Sequence, residues 1–189
     1  MTHLVGLSGS LRKGSFNAAL LRAAAESMPA GAALEIGTIR GIPLYDADVE
    51  AASGIPPEVA ALKDAIAAAD GLLLATPEYN NSIPGVFKNA IDWLSRPDAD
   101  IPRVFGGKPV ALIGASPGGF GTILSQDAWL PVLRTLRVEF WSAGRLMVSR
   151  ARNVFDADGT LADAAVRQQL GAFMQGFAAF AGAAKRQRT

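Results

Sequence analysis

The chain has no cysteine and a single histidine, His3, among its 189 residues. The absence of cysteine excludes disulfides, thiolate nucleophiles, dithiol redox pairs and thiolate metal sites. A serine hydrolase of the nucleophile-elbow type is excluded as well, because its histidine base follows the nucleophile, whereas His3 precedes every serine. No spacing of histidine and carboxylates is typical of a catalytic metal site. We therefore interpret His3 as a strand residue and expect no metal.

Net charge and long apolar runs are also nearly absent. The formal net charge is +1 at pH 7, which favours neither nucleic acid nor a membrane surface as a partner. No run approaches the roughly 18 apolar residues of a membrane span, and the N-terminus lacks the pattern of a signal peptide. We expect a cytoplasmic protein that forms one domain over residues 1–189.

Five short apolar segments alternate with helical patterns along the chain. Several segments are continuously apolar, as expected of parallel strands that are covered on both faces. The predicted strands are residues 4–7, 33–38, 71–75, 109–114 and a fifth within 145–148. The predicted helices are residues 15–28, 56–69, 84–94, 122–136 and about 161–184. This alternation predicts an α/β fold with a doubly wound parallel sheet.

A segment rich in proline and glycine, residues 95–108, separates the third predicted helix from the fourth strand. Its length and composition favour a surface loop. The alternative is that it forms a partner interface or the rim of an active site.

The loop between the first strand and the first helix, residues 6–17 (GLSGSLRKGSFN), is the most informative part of the sequence. The first turn of a helix has unpaired N–H groups and a partial positive charge, which together favour an anion. The loop adds short hydroxyl and amide side chains and full positive charges: Ser10, Ser15, Asn17, Arg12 and Lys13. These groups match the charge and the acceptor oxygens of a phosphate. The loop therefore predicts an anion site.

Two other loops are expected at the same edge, because ligands of open parallel sheets bind outside the carboxyl ends of the strands. The loop after the third strand, residues 76–85, offers Tyr79 as a stacking surface and amide groups for the edge of a flat ring. The loop after the fourth strand contains Gly118, Gly119 and Gly121, which allow the backbone to approach a ligand. Each loop alone could be an ordinary turn. Together with the phosphate loop they predict a ligand with a planar ring.

Few acid–base groups accompany these loops. The chain also lacks the Gly-x-Gly-x-x-Gly dinucleotide motif and the Gly-x-x-x-x-Gly-Lys-Ser/Thr phosphate loop. A ligand site with few acid–base groups indicates that the ligand itself performs the reaction. A redox cofactor is the natural candidate for such a ligand.

Three segments carry a family resemblance: residues 9–17 (GSLRKGSFN), 77–80 (PEYN) and 116–119 (SPGG). With residues 84–93 (PGVFKNAIDW), they resemble the NAD(P)H-dependent FMN reductase family, and within it the bacterial chromate/quinone reductase branch. The resemblance implies a flavodoxin-like three-layer fold, in which helices cover both faces of a five-stranded parallel sheet of order 2-1-3-4-5. It also implies non-covalently bound FMN, with NAD(P)H as co-substrate.

The resemblance assigns twelve cofactor-binding residues by motif. Those expected around the phosphate and the ribityl chain of FMN are Ser10, Arg12, Ser15, Phe16 and Asn17. Those expected along the isoalloxazine ring are Pro77, Glu78, Tyr79 and Asn80 on one side and Ser116, Gly118 and Gly119 on the other. Tyr79 and Asn80 are expected to shape the ring site. No side chain is assigned as an obligatory catalytic group.

The implied activity is hydride transfer from NAD(P)H through FMN to quinones or related acceptors, namely azo compounds, nitroaromatics, flavin or chromate. The resemblance also implies a homodimer or homotetramer. The alternative is a flavodoxin-type electron carrier, but such carriers are usually strongly acidic, whereas this chain has a net charge of +1. A module that binds a phosphate ligand without redox chemistry is a third interpretation.

The third motif departs from the family pattern. Many members continue Gly-Gly-x-Gly-Gly-x-Arg, whereas this chain has Thr122 and Leu124 at the places of the fourth glycine and the arginine. An arginine is therefore not available at this place for a nicotinamide contact or for an ion pair between subunits.

Overall fold

Strands and helices alternate through the molecule, as the sequence predicts. The computed structural model describes residues 1–188, with side chains to residue 186; Thr189, the last residue of the predicted domain, lies outside the described residues. The strands are β1 (Thr2–Ser8), β2 (Ala32–Gly37), β3 (Gly71–Ala75), β4 (Pro109–Ala115), β5 (Glu139–Phe140) and β6 (Leu146–Val148). The helices are α1 (Phe16–Glu26), α2 (Ala47–Ser53), α3 (Pro57–Ala68), α4 (Gly85–Leu94), α5 (Ile101–Val104), α6 (Ile123–Thr135) and α7 (Ala164–Arg188). None of these helices is both long and apolar enough to cross a membrane.

The strands form one parallel sheet of order β2-β1-β3-β4-β5. This confirms the predicted order 2-1-3-4-5. The fifth position, however, is shared by two short strands, because β5 pairs with β4 at Pro109 and Val110, and β6 pairs with β4 from Ile113 to Ala115. The single fifth strand predicted within residues 145–148 corresponds to β6 alone. The sheet therefore has six strands in five positions.

Trp141 lies in the segment between β5 and β6. Its indole packs edge-on against Phe173 of α7, with ring centroids 4.8 Å apart. The indole also fills the space beside two glycines. A Cβ added to Gly144 would lie 2.4 Å from the indole, and one added to Gly176 would lie 2.8 Å from it. The segment between the two strands is thus packed against α7 through this indole.

Apolar side chains cover both faces of the sheet, as the continuous apolar runs predict. On one face, Leu4, Leu73 and Ile113 pack with α1 and α7. On the other face, residues such as Leu74 and Leu112 pack with α3, α4 and α6. Every residue of β3 and β4 is buried. The result is the predicted three-layer arrangement with helices on both sides.

Two short helices were not predicted. Helix α2 buries no residue, and so has no apolar stripe that would predict it. It is capped by the Asp46 carboxylate, which accepts a hydrogen bond from the Asp48 N–H. Helix α5 lies within residues 95–108, whose length and composition favour a surface loop. That segment is anchored, because Val104 and Phe105 are buried and the buried Lys63 ammonium lies 2.7 Å from the Asp100 carboxylate.

Candidate functional site

The loops that follow β1, β3 and β4 lie side by side at the carboxyl edge of the sheet. Sheet-like hydrogen bonds continue into them: the N–H of Gly9 donates to the carbonyl of Ala75, and the N–H of Thr76 donates to the carbonyl of Ile113. The N–H of Ser116 donates in the same way to the carbonyl of Val148. The sheet thus fixes the starting point of all three loops and brings the three sequence motifs together, as predicted.

The phosphate loop ends at a capped helix. Ser15 is the N-cap of α1, and its hydroxyl accepts a hydrogen bond of 3.2 Å from the Ala18 N–H. The N–H groups of Phe16 and Asn17 lie in the first turn, where no intrahelical acceptor is available. These two N–H groups and the partial positive charge of the helix end are therefore free to meet an anion.

Arg12 stands beside this helix end. Its Nη2 donates to the carbonyl of Gly14 at 2.8 Å, and its guanidinium carbon lies 5.8 Å from the centre of the Phe16 ring. Arg40, which follows β2, supports the same loop by donating from Nη2 to the carbonyl of Leu11 at 2.6 Å. No carboxylate of residues 1–186 forms an ion pair with Arg12. Its positive charge is therefore not neutralised by the protein.

An open cleft of about 220 Å³ lies between the loops. Nine of the twelve predicted residues line it: Ser10, Arg12, Ser15, Phe16, Asn17, Pro77, Glu78, Tyr79 and Ser116. Sites for small molecules usually enclose about 300–1,000 Å³, so this cleft is a groove that leaves part of a cofactor-sized ligand exposed. Tyr79 is 47% exposed at its rim, and its ring is accessible for stacking.

The other three predicted residues lie outside the lining of this cleft. Asn80 has a φ of 50° in the turn that the Tyr79–Ser82 pair closes. Gly118 donates from its N–H to the Ser116 hydroxyl at 3.1 Å and accepts from the Arg150 N–H. An added Cβ at Gly119 would meet no atom within 4 Å. Packing therefore does not account for this glycine, and its backbone is open to a ligand.

Asn17 holds the first loop against the end of β4. Its Nδ2 donates to the carbonyl of Ala115 at 2.8 Å, and its Oδ1 accepts from the Ala115 N–H at 2.9 Å. Both ends of the buried amide are thereby engaged by the protein. The backbone N–H of Asn17 is the group that it can offer to an anion.

Glu78 caps helix α6. Its Oε2 accepts hydrogen bonds from the N–H groups of Leu124 and Ser125, at 2.9 and 3.0 Å. These N–H groups lie in the first turn of α6, whose N-cap residue Thr122 provides no side-chain acceptor. The carboxylate also complements the positive end of the helix. Glu78 therefore fixes the second loop relative to the third.

A buried hydroxyl network supports the second loop from below. The Thr76 hydroxyl donates to the carbonyl of Pro77, lies 2.8 Å from the Ser125 hydroxyl and accepts from the Trp129 indole N–H. Sequence reasoning missed Thr76, Ser125 and Trp129, because Ser125 and Trp129 lie about fifty residues beyond Thr76. No local pattern could have indicated this contact.

The comparisons with known proteins identify the family. The family model described as NADPH-dependent FMN reductase matches residues 2–153. The chain belongs to this family. A NAD(P)H-dependent FMN reductase of Pseudomonas aeruginosa is 48% identical over 165 residues, covering 87% of each chain. A 2-hydroxy-1,4-benzoquinone reductase of a Burkholderia species is 40% identical over 172 residues, covering 91% of this chain and 92% of the relative.

A solved structure extends the agreement to the fold. FerB, a flavoenzyme NAD(P)H:(acceptor) oxidoreductase of Paracoccus denitrificans, superposes with a TM-score of 0.85 at 32% identity. The match covers 96% of this chain and 98% of that one. The predicted flavodoxin-like fold, family and reductase function are confirmed. As a member of this family the chain uses flavin and NAD(P)H.

Proposed function

We propose that the chain binds FMN in the cleft between the three loops and uses NAD(P)H to reduce quinones. When bound, FMN supplies a ring that accepts a hydride from NAD(P)H and delivers reducing equivalents to an acceptor. The single observation that carries the proposal is the meeting, in one groove, of the α1 N-terminus with Arg12 and the half-exposed ring of Tyr79.

The donors at the first loop fit the phosphate of FMN. The N–H groups of Phe16 and Asn17 and the guanidinium of Arg12 are available to donate hydrogen bonds to its oxygens, and Ser10 also lines the groove. Charge-assisted hydrogen bonds of this kind are roughly twice as strong as neutral ones. We therefore assign phosphate binding to Arg12 and to the first turn of α1.

The second and third loops fit a flat ring. Tyr79 offers an exposed aromatic face, and Pro77 and Ser116 line the groove beside it. Backbone N–H groups in these loops would stabilise negative charge on a reduced ring without any movement during the reaction. Because the groove is open, a nicotinamide and then a quinone can reach the same ring in turn.

We further propose that the chain works as one domain and forms a homo-oligomer. Four large apolar side chains are exposed on α6 and the turn before it: Phe120 at 84%, Ile123 at 39%, Leu124 at 45% and Leu130 at 42%. Exposed apolar clusters of this kind mark contact surfaces. Sedimentation velocity of the wild type against Leu130→Asp tests this, since a charge placed in the contact is expected to shift the assembly toward monomer.

The test of the proposed function is steady-state oxidation of NADH and NADPH by the FMN-loaded protein with 1,4-benzoquinone as acceptor. We expect acceptor-dependent oxidation in the absence of any partner protein. A protein that binds FMN but oxidises neither nicotinamide without an added partner would be an electron carrier. A protein that binds no FMN would contradict the proposal at its first step.

A further inference from the structure

A second cavity adjoins the cleft on the other side of the phosphate loop. Its volume is about 460 Å³, which is the size of a site for a small molecule. It shares Arg12, Ser15 and Phe16 with the cleft, and its other walls come from α1 and from residues 152–159. We refer to it as the cationic cavity. A ligand with one phosphate at the shared loop can extend from the cleft into the cationic cavity.

Positive charge is in excess in the cationic cavity. Among residues 1–186, only two carboxylates line it, those of Asp156 and Asp158. The cationic side chains that line it number four: Arg12, Lys13, Arg22 and Arg152. Within the described residues, none of the four forms an ion pair. This excess of positive charge around one cavity favours an anionic ligand, and arginine suits the geometry of a phosphate.

The far wall of the cationic cavity is an ordered turn. The N–H of Asp156 donates to the carbonyl of Thr160, and the N–H of Thr160 donates to the carboxylate of Asp158, both at 2.9 Å. Hydrogen bonds from Thr160 to the Asp158 carboxylate, with a smaller contribution from the charge of Arg22, lower the pKa of Asp158 below its ordinary value. Asp158 is therefore ionised at neutral pH.

Arg22 is held over the same turn. An added Cβ at Gly159 would lie 2.8 Å from Nη2 of Arg22, so the guanidinium occupies the space that a side chain at this position would take. Gly159 also has a φ of 84°, which glycine adopts without strain. The residue type at 159 thus permits both the turn and the position of the arginine.

Two aromatic rings separate the cleft from the cationic cavity. Phe16 and Phe155 stack with ring centroids 5.7 Å apart and planes inclined by 29°. Phe16 lines both spaces, whereas Phe155 lines the cationic cavity alone. The cationic cavity therefore offers an apolar surface for a flat base, together with cations for phosphate and carboxylates that can accept hydrogen bonds from ribose hydroxyls.

We infer that the cationic cavity binds the adenosine phosphate portion of a dinucleotide. Two dinucleotides carry this group: FAD, in which it is joined directly to the flavin phosphate, and NAD(P)H. The loop shared by the two spaces favours FAD, because its second phosphate follows the first without a gap. This FAD route rests on the proposed FMN site, whereas recognition of adenosine phosphate by the cationic cavity does not.

The first experiment tests recognition without flavin. Apoprotein is titrated calorimetrically with AMP and with adenosine, as wild type, as the double variant Arg22→Gln/Arg152→Gln, and as Arg134→Gln. Arg134 is an exposed arginine of α6 outside the cationic cavity, and it controls for loss of surface charge. We expect AMP to bind the wild type and the control, with affinity about tenfold lower in the double variant, the scale of a lost charge-assisted hydrogen bond. Absence of AMP binding to the wild type, or equal affinity in all three proteins, would overturn the inference.

The second experiment distinguishes FAD from NAD(P)H as the dinucleotide whose adenosine phosphate the cationic cavity binds. If FAD is the ligand, the double variant loses about tenfold in FAD affinity and keeps its FMN affinity and its KM for NAD(P)H. If NAD(P)H is the ligand, its KM rises in the double variant at unchanged kcat, while FAD and FMN bind as in the wild type. No change in any of these quantities would contradict both routes. Failure of FMN to bind the wild type would count against the proposed function, and the AMP titration would still decide the inference.

Discussion

The amide of Asn17 and the backbone of Ala115 exchange two hydrogen bonds, of 2.8 and 2.9 Å, in the buried space beneath the cleft. The pair joins the start of α1 to the end of β4, which are 98 residues apart in sequence. It therefore sets the position of the phosphate loop relative to the loop that begins at Ser116. The geometry of the cleft depends on this contact as much as on the residues that line it.

Replacement of Asn17 by Ala should destabilise the fold. The variant leaves both polar groups of Ala115 without their partners, and an unsatisfied buried group costs about 1–3 kcal/mol. We expect the free energy of unfolding to fall by at least this amount in urea denaturation, together with weaker FMN binding. Asn153→Ala, at an exposed position, is the control and should behave as the wild type. Equal stability of Asn17→Ala and Asn153→Ala would contradict the role of the amide.

Glu78 should act mainly as a helix cap. Glu78→Ala removes the acceptor for the N–H groups of Leu124 and Ser125, and loss of a capping side chain costs about 0.5–2 kcal/mol. Glu78→Gln keeps an acceptor oxygen and loses only the charge, so its effect should be smaller. Thermal unfolding of the two variants measures the difference. The account is wrong on this point if Gln is as damaging as Ala.

Arg12 should anchor the phosphate of FMN. Replacement by Ala removes a charge-assisted hydrogen bond and should weaken FMN binding by about 1.5–3 kcal/mol. Quenching of flavin fluorescence during a titration gives the dissociation constant. Arg134→Ala, on the exposed side of α6, is the matched control and should leave it unchanged. An unchanged constant in Arg12→Ala would exclude the phosphate role.

His3 should have no part in turnover. Its imidazole lies on β1, with Nε2 3.2 Å from the Glu35 carboxylate, and it is not among the residues that line the cleft. We expect His3→Gln to reduce kcat by less than a factor of two in the quinone assay. A hundredfold loss would show that a proton donor essential to the reaction has been misplaced.

Asp100 should stabilise the protein in a pH-dependent way. Hydrogen bonds from Arg103 and from Lys63 lower the pKa of this carboxyl group from 3.8 to about 2. A folded-state pKa below the unfolded value means that the stabilisation is present above the unfolded pKa and is lost as the pH falls through the folded one. In urea denaturation, Asp100→Asn should therefore have a lower free energy of unfolding than the wild type at pH 7. This difference in the free energy of unfolding should disappear between about pH 4 and pH 2. Asp127→Asn, an exposed position without an ion pair among the described residues, should show no such difference.

The fold was largely predictable because its strands are continuous apolar runs. Strand β3 begins and ends at its predicted residues, and the ends of the five long helices differ from their predicted bounds by at most four residues. Helix α2 was missed because it buries nothing, and β5 was missed because two residues carry no periodicity. Apolar patterning indicates elements that contribute to the core, and these two contribute little.

The candidate site was predictable in its parts and not in its connections. The order of the loops along a parallel sheet brings the three motifs to one edge, so a groove among them follows from the sequence. The pairing of Asn17 with Ala115 and of Glu78 with the start of α6 does not, because each contact joins residues distant in the chain. The cationic cavity is not predictable either, because its arginines Arg22 and Arg152 come from separate parts of the sequence.

A crystal structure of the protein soaked in excess FMN tests the central claim most directly. The account predicts the FMN phosphate at the first turn of α1, within hydrogen-bonding distance of Arg12 and of the N–H groups of Phe16 and Asn17, with the ring beside Tyr79. An empty cleft, or FMN bound elsewhere on the molecule, would contradict it.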